Sequence, residues 1–131
     1  MREILLGIDE SEERAKKQAQ TVVDMFDTDD LLAHLLHDFT ENPEGASVVQ
    51  VGSVHRAEEI LDEHDVEIEY HEGSGEPAES IVETAERLEV DAIVVAGRKR
   101  SPTGKLLFGS VSQEVILGTE RPVLVCSATE D

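Results

Sequence analysis

Residues 75–100, GEPAESIVETAERLEVDAIVVAGRKR, join a helix pattern directly to a strand pattern. Pro77 stands in the first turn of the predicted helix, where its missing N–H costs no hydrogen bond. The apolar residues that follow recur at helical spacing and form one buried stripe: Ile81, Val82, Ala85 and Leu88. The apolar run DAIVVAG at 91–97 then predicts a strand that is buried on both faces of a parallel sheet.

The same alternation of strand and helix patterns extends over the rest of the chain. Apolar or alternating runs predict four more strands, at 3–8, 31–39, 66–71 and 121–127. Helical spacing predicts three more helices, over 15–26, 54–61 and 110–118. This order predicts an α/β protein with a five-stranded parallel sheet and helices on both faces. No linker or internal repeat divides the chain, so we expect a single domain over residues 1–131.

Three local signals refine this prediction. VEIEYH at 66–71 alternates strictly between apolar and polar residues, which indicates a half-exposed edge strand. Either Asp9 or Ser11 is suited to cap the first helix. Ser110 and Gln113 have the spacing of a capping box, which would begin the last helix.

The charge of the chain excludes two classes of partner. The formal net charge is −19, from 30 Asp and Glu against 11 Lys and Arg. Nucleic acid and anionic membranes would be repelled, so we expect neither as a main partner. The acidic residues are scattered along the whole chain, which is typical of the solvated surface of a halophilic protein and indicates a haloarchaeal source. An ordinary acidic protein of a mesophile is the alternative.

The chain also carries signals about its compartment. No apolar stretch approaches the roughly 20 residues that a membrane span needs. The first residues, MREILLGIDE, do not form a signal peptide. Cys126 is the only cysteine, which excludes an internal disulfide and fits a small core residue in a reducing compartment. We therefore expect a cytoplasmic protein.

Residues 97–113, GRKRSPTGKLLFGSVSQ, are a basic exception in this acidic chain. Four of the 11 Lys and Arg side chains fall within eight residues: Arg98, Lys99, Arg100 and Lys105. A glycine-containing loop that leads into a helix start near Ser110 offers backbone N–H groups to an anion. The segment therefore predicts a phosphate-binding loop. A solvated loop whose glycines serve only turns is the alternative.

The ends of the predicted strands mark further candidate ligand-binding residues. In open parallel sheets, ligands bind beyond the carboxyl ends of the strands, where the strand order reverses. Asp9 follows the first strand, His37 and Asp38 end the second, and Gly97 ends the fourth. We expect these residues to lie near one another.

The histidines do not predict a metal site. His34 and His37 are three residues apart on a strand and so face opposite sides of the sheet. The other histidines fall on predicted helix or edge-strand surfaces: His55, His64 and His71. No serine, histidine and acid are spaced for covalent catalysis, and no general base for hydrolysis stands out. We therefore do not expect an enzyme.

Four segments together resemble the universal stress protein family. They are ILLGIDESEE at the first strand, LLHDF at the second, the segment 75–100, and LFGSVSQEVI followed by RPVLV at the end. The resemblance implies a Rossmann-like fold of the adenine nucleotide alpha hydrolase type, with strand order 3-2-1-4-5, and usually a dimer. One branch of the family binds ATP or AMP through the pattern G-x2-G-x9-G-[ST], and another branch lacks the pattern and binds neither.

Matched position by position, the resemblance assigns roles to individual residues. Asp9 takes the place of the aspartate that contacts the adenosine moiety through its ribose. The phosphate pattern and its continuation match, in chain order, Gly97, Gly109, Ser110, Val111 and Ser112. The resemblance thus implies ATP or AMP as the ligand, with Mg²⁺ if it is ATP.

The chain departs from the family pattern at three points. Arg100 stands where the second glycine is expected, and 11 residues instead of 12 separate Gly97 from Gly109. Asp38 replaces an apolar residue that packs on the adenine. The guanidinium of Arg100 offers donors that suit phosphate oxygens. The alternative is that Arg100 fills the phosphate position itself.

These observations predict a cytoplasmic, dimeric stress-response protein that binds ATP or AMP as a regulatory ligand. The last strand is apolar and has no internal charge, so we expect the homodimer to form through residues 122–126. Two alternatives stay open. One is a nucleotide-free dimeric interaction module of the same family, and the other is a slow ATPase.

Overall fold

Helices and strands follow one another in the predicted order. The computed structural model describes residues 1–38, 51–73, 75–100, 105–107 and 109–129, and the side chains of 98–100, 105–107 and 128–129 lie outside that description. The strands are β1 (Arg2–Gly7), β2 (Leu31–Asp38), β3 (Glu67–Gly73), β4 (Ala92–Arg100), β5 (Lys105–Leu107) and β6 (Val123–Thr129). The helices are α1 (Glu12–Met25), α2 (Gly52–Glu63), α3 (Pro77–Leu88) and α4 (Ser110–Gly118), with a 3₁₀ turn at Thr28–Asp30.

The sheet has six strands. Five of them are parallel and lie in the order β3-β2-β1-β4-β6, and the short β5, which the sequence does not predict, pairs antiparallel with the end of β4. Counted along the chain among the parallel strands, this is the order 3-2-1-4-5, so the predicted fold is confirmed. β3 and β6 are the two edge strands, as the sequence predicts. The strand order reverses between β1 and β4, and their pairing ends at Leu6 and Val94.

Helices cover both faces because each central strand sends alternate side chains into two aliphatic cores. α1 and α2 pack on the core that contains Ile4 and Leu6, whereas α3 and α4 pack on the core that contains Leu5 and Ile93. Cys126 is buried in the first of these cores, as predicted for a small core residue. Within the described parts of the chain, no helix is long and apolar enough to cross a membrane.

Two helix starts agree with the sequence and one does not. α1 begins after a Ser11 cap and α3 begins at Pro77, as predicted. The predicted capping box at Ser110 is wrong, because Gly109 is the N-cap and Ser110 is already the first helical residue. The N–H of Gln113 donates to the carbonyl of Gly109 at 3.2 Å. No described side chain caps α4.

β4 is longer than the sequence predicts. It continues past Gly97 to Arg100, because its backbone pairs with β6 along one edge and antiparallel with β5 along the other. The prediction that the strand ends at Gly97 is therefore wrong, and the basic segment begins as a strand instead of a loop. Residues 39–50, which include the last residue of the predicted strand 31–39, and residues 101–104 and 108 of the basic segment lie outside the described residues.

A buried glutamine joins β1 to β4 at the point where their pairing ends. Gln18 of α1 is completely buried, and its Nε2 donates to the carbonyl of Gly7 at 2.9 Å and to that of Val94 at 3.1 Å. A buried backbone carbonyl that no longer pairs with a neighbouring strand needs another hydrogen-bond donor. One side-chain amide supplies it for both strands.

Replacing this amide with an isosteric acceptor tests its role. We expect Gln18→Glu to destabilise the fold at neutral pH by about 3 kcal/mol or more, because a buried carboxylate would face two carbonyls without a donor. A protonated carboxyl donates to one carbonyl, so part of the stability should return as the pH is lowered. Chemical denaturation at pH 7 and pH 5 measures both effects. Gln20→Glu, on the exposed face of α1, is the matched control, and equal stability of the two variants would contradict the assigned role.

Candidate functional site

A cavity of about 230 Å³ opens at the carboxyl end of the sheet, beside the reversal of strand order. The ends of β1, β2 and β4 and the first turns of α3 and α4 line it. Its lining combines a majority of apolar residues with a few polar side chains, which is typical of small-molecule sites. The lining residues are Gly7, Ile8, Asp9, Glu10, Leu36, His37, Asp38, Pro77, Ile81, Val95, Ala96, Val111 and Ser112.

A glycine lets helix α3 come close to the sheet beside this cavity. A Cβ atom at Gly7 would lie 2.7 Å from Cδ1 of Ile81, which is too close for two carbon atoms. Without that Cβ, Ile81 packs directly over the end of β1. Both residues line the cavity, so this close approach shapes its apolar part.

Asp9 is held in place by two donors. Its Oδ1 accepts the backbone N–H of Ser11 at 2.8 Å, and its Oδ2 accepts Nε of Arg14 at 2.7 Å. The Asp9 side chain is half exposed, whereas that of Arg14 is only 12% exposed. Each carboxylate oxygen has two lone pairs, so Asp9 retains acceptor capacity toward a ligand hydroxyl. Its charge is balanced locally by the guanidinium.

Asp38 presents an acceptor that the described residues leave unpaired. Its Oδ2 accepts the hydroxyl of Ser80 in α3, while Oδ1 is buried and has no partner among the described residues. Gly73 of β3 makes room for this pair, since a Cβ there would lie 2.8 Å from Ser80 Oγ and 3.0 Å from Asp38 Oδ2. A buried acceptor without a donor is rare in folded proteins. Asp38 is therefore suited to receive a donor from a ligand.

His37 is anchored at the ends of β1 and β2. Its Nδ1 lies 2.7 Å from the carbonyl oxygen of Ile8. A carbonyl only accepts, so Nδ1 carries the proton and donates it. The sequence names His37 among the residues at the strand ends, and the structure places it in the cavity lining.

The start of α4 lies beside the cavity with its N–H groups uncapped by any described side chain. Gly109 and Ser110 are exposed there, and the first turn of α4 contains no acidic residue. The hydroxyl of Ser112 donates to the carbonyl of Ala96 at 3.1 Å, so this side chain fastens the helix start to β4. Free N–H groups at a helix N-terminus attract anions.

The structure brings four of the eight predicted binding residues around the cavity: Asp9, Asp38, Val111 and Ser112. Gly109 and Ser110 precede Val111 at the exposed start of α4. Gly97 is buried within β4 and is not part of the lining, and the side chain of Arg100 lies outside the described structure.

Several lining residues could not be identified as such from the sequence. The sequence predicts Ile81 and Val95 as ordinary core positions, and in the structure both also line the cavity. Their spacing indicates a buried face but not which part of that face adjoins empty space. Glu10 also lines the cavity, and its position directly after Asp9 was the one available signal.

A second polar cluster lies on the α3 side of the sheet, away from the cavity lining. Nδ1 of His34 lies 2.9 Å from Nε2 of His71, and Nε2 of His34 lies 2.8 Å from Oε1 of Glu3. Glu69 Oε2 is 3.4 Å from His34 Nδ1. Burial lowers the pKa of His71, and its electrostatic interactions with His34 and Arg87 lower it further. The His71 imidazole is thus neutral at neutral pH.

Comparisons with known proteins give a family match. The model of the universal stress protein family matches residues 1–127. Stress response protein NhaX of Bacillus subtilis is 45% identical over 51 residues, which are 39% of this chain and 31% of that protein. The universal stress protein of Mycolicibacterium smegmatis is 34% identical over 80 residues, which are 60% of this chain and 62% of that protein. The matched stretches thus span less than two thirds of either curated relative.

Solved structures are similar over nearly the whole chain. A universal stress protein from Archaeoglobus fulgidus has a TM-score of 0.76 at 27% identity, over 96% of this chain and 98% of that one. A universal stress protein from the same organism in complex with dAMP has a TM-score of 0.72 at 21% identity, over 96% and 97%. A universal stress protein family protein from Arabidopsis thaliana with AMP bound has a TM-score of 0.74 at 18% identity, over 98% and 92%. The last two similarities show the fold.

Proposed function

This chain belongs to the universal stress protein family, and we propose that it binds an adenine nucleotide in the cavity at the carboxyl end of its sheet. The observation that carries the proposal is the position of this cavity. It lies where the strand order reverses, between apolar surface on α3 and the uncapped start of α4. The nucleotide acts as a regulatory ligand of a dimeric, cytoplasmic, single-domain stress-response protein.

The described residues fit the three parts of a nucleotide. Ile81 and Val111 offer apolar surface for the base, and Asp9 offers a carboxylate for the ribose hydroxyls. The N–H groups at the start of α4 suit the phosphate. Mg²⁺ would accompany ATP by binding to its phosphate oxygens.

Local charge favours the phosphate end despite the net charge of −19. The first turn of α4 carries no acid, and Arg14 pairs with Asp9. Arg100 is the last residue of β4, and an arginine guanidinium offers a fork of donors that suits phosphate oxygens. Relatives of the same fold that contain dAMP or AMP support the choice of an adenine nucleotide.

Variants at the two ends of the site test this arrangement. We expect Arg100→Ala to weaken the binding of ATP more than the binding of adenosine, because only ATP carries phosphates. Asp9→Ala should weaken both about equally, because both carry the ribose. Loss of a charge-assisted hydrogen bond should raise the dissociation constant roughly 10- to 150-fold. Titration calorimetry in high KCl measures each affinity, with Lys16→Ala and Asp24→Ala, at exposed positions of α1, as charge-matched controls.

The same titrations distinguish the alternatives. If Arg100 fills the phosphate position, Arg100→Gly should bind ATP more tightly than the unaltered chain. ATP binding to none of the proteins, the unaltered chain included, would overturn the proposal and leave a nucleotide-free interaction module. Slow release of inorganic phosphate from bound ATP would identify a weak ATPase.

Asp38 suggests how the site selects its base. Its buried Oδ1 lacks a donor among the described residues, and Ser80 holds the other oxygen. The 6-amino group of adenine is a donor, whereas the 6-oxo group of hypoxanthine is an acceptor that a carboxylate repels. We therefore assign Asp38 to recognition of the amino group.

This assignment predicts a preference for AMP over IMP. We expect the unaltered protein to bind AMP roughly 10- to 150-fold more tightly, which corresponds to one hydrogen bond to a charged group. Asp38→Ala should bring the two affinities close together. Glu10→Ala removes an acid from the same cavity and should leave the ratio unchanged. An unchanged AMP to IMP ratio in Asp38→Ala would exclude this role.

β6 supplies the surface for the proposed homodimer. It is an edge strand, and β4 is its partner among the described residues. The side chains of Val123, Leu124 and Val125 are partly exposed. An apolar edge strand of this kind readily pairs with a second copy.

We expect Val125→Lys to convert the homodimer to a monomer in sedimentation analysis, because two lysines would face each other across the shared edge. Val82→Lys on α3 is the matched control. Val82 packs partly buried against the same core as Val125 but does not belong to the edge strand. A dimer that survives Val125→Lys, or that Val82→Lys dissociates equally, would place the interface elsewhere.

A further inference from the structure

Strand register brings two histidines and two glutamates together on one face of the sheet. His34 of β2 is directly opposite Glu69 of β3, and His71 lies two residues further along β3 on the same face. His34 is also opposite Leu5 of β1. Glu3 precedes Leu5 by two residues, so Glu3 lies on the same face of the sheet as His34. These residues lie far apart in the sequence, so their proximity comes from the fold.

The distances suit a bound metal ion. His34 Nδ1 lies 2.9 Å from His71 Nε2 and 3.4 Å from Glu69 Oε2, and all three ligand atoms lie within 4.8 Å of one another. Ligands of a tetrahedral zinc ion are about 3.3 Å apart, given metal–ligand bonds of about 2.0–2.1 Å. The two imidazoles therefore need to separate by only a few tenths of an ångström to admit an ion.

Glu3 completes the arrangement from the other side of the buried imidazole. His34 is 1% exposed, and its Nε2–H donates to the carboxylate of Glu3 at 2.8 Å. A carboxylate bound to the distal nitrogen is the usual partner of a metal-binding histidine, because it fixes the tautomer and orients the ring. The lone pair on Nδ1 then points toward His71 and Glu69.

We propose that His34, Glu69 and His71 bind a divalent transition-metal ion of the zinc class, with Glu3 as the positioning residue. Two imidazoles and one carboxylate are ligands that such ions prefer. The exposed side chain of Glu69 leaves the fourth position accessible to water or to a further ligand. The ion would join β3 to β2 through side chains as well as through the backbone.

The competing explanation is a hydrogen-bonded network without metal. In that network His71 Nε2–H donates to His34 Nδ1, and His34 Nε2–H donates to Glu3. The network satisfies the same nitrogen atoms, so affinity for metal has to be measured directly. The proposed ligands do not line the nucleotide cavity, and the experiment uses nucleotide-free protein, so this proposal and the proposed function fail or succeed separately.

The experiment is a titration of the chelator-treated chain with Zn²⁺ by calorimetry and with Co²⁺ by visible spectroscopy. Tetrahedral Co²⁺ bound to imidazole absorbs strongly in the visible, whereas six-coordinate Co²⁺ on surface carboxylates does not. We expect one equivalent of each ion to bind, with a tetrahedral Co²⁺ spectrum and a higher melting temperature. Glu3→Gln should weaken the binding of Zn²⁺ by about 10- to 100-fold, and His71→Ala should weaken this binding at least as much.

Two controls keep the result interpretable. His55→Ala removes an exposed histidine that lies 3.6 Å from Glu58, and it should leave binding unchanged. Glu69→Gln alters an exposed side chain, so it tests the site if His71→Ala fails to fold. The absence of saturable binding, or a Co²⁺ spectrum that is the same in His71→Ala and Glu69→Gln as in the unaltered chain, would overturn the proposal.

Discussion

The double hydrogen bond from Gln18 to Gly7 and Val94 is the interaction on which the rest of the site depends. β1 and β4 are parallel, but the chain continues from β1 to β2 on one side of the sheet and from β4 toward β6 on the other, so a crevice opens where the ladder between β1 and β4 ends. That opening would leave backbone carbonyls without donors in a buried place. Because one side-chain amide serves both strands, the ladder can stop early and the cavity can begin directly beyond it. The Gln18 amide of α1, on one face of the sheet, thus allows a binding site to form at the carboxyl end of the sheet.

The site also resolves a conflict between the charge of the chain and that of its proposed ligand. A chain with a net charge of −19 repels a nucleotide at long range. Two of the three acids in the cavity lining are engaged: Asp9 pairs with Arg14, and Asp38 accepts the hydroxyl of Ser80. The start of α4 adds N–H groups, and the first turn of this helix contains no acidic residue. Short-range donors, screened less than surface charges, decide the interaction there.

The parts of this structure that periodicity governs could be predicted from the sequence. The run at 91–97 predicts a central strand, because a strand that is buried on both faces is apolar throughout. The alternation at 66–71 predicts an edge strand, because only one of its faces is buried. The extension of β4 could not be predicted, since it depends on backbone pairing with β6. The range of α4 agrees with the prediction, but its N-cap is Gly109 instead of Ser110, because a serine suits both the cap and the first turn. The proximity of His34 and His71 depends on strand register, which a single sequence does not reveal.

β2 connects the two proposed sites, because it carries His34 and Asp38 on the same face. Four residues of a strand separate them by about 13 Å. Both also depend on the register of β2 with β3: Glu69 lies opposite His34, and Gly73 lies opposite Asp38, where it makes room for the bond from Ser80. An ion between the two strands would hold this register and so favour the arrangement that presents Asp38 to a base. By thermodynamic linkage, a nucleotide that requires the same arrangement would tighten the metal site by the same factor.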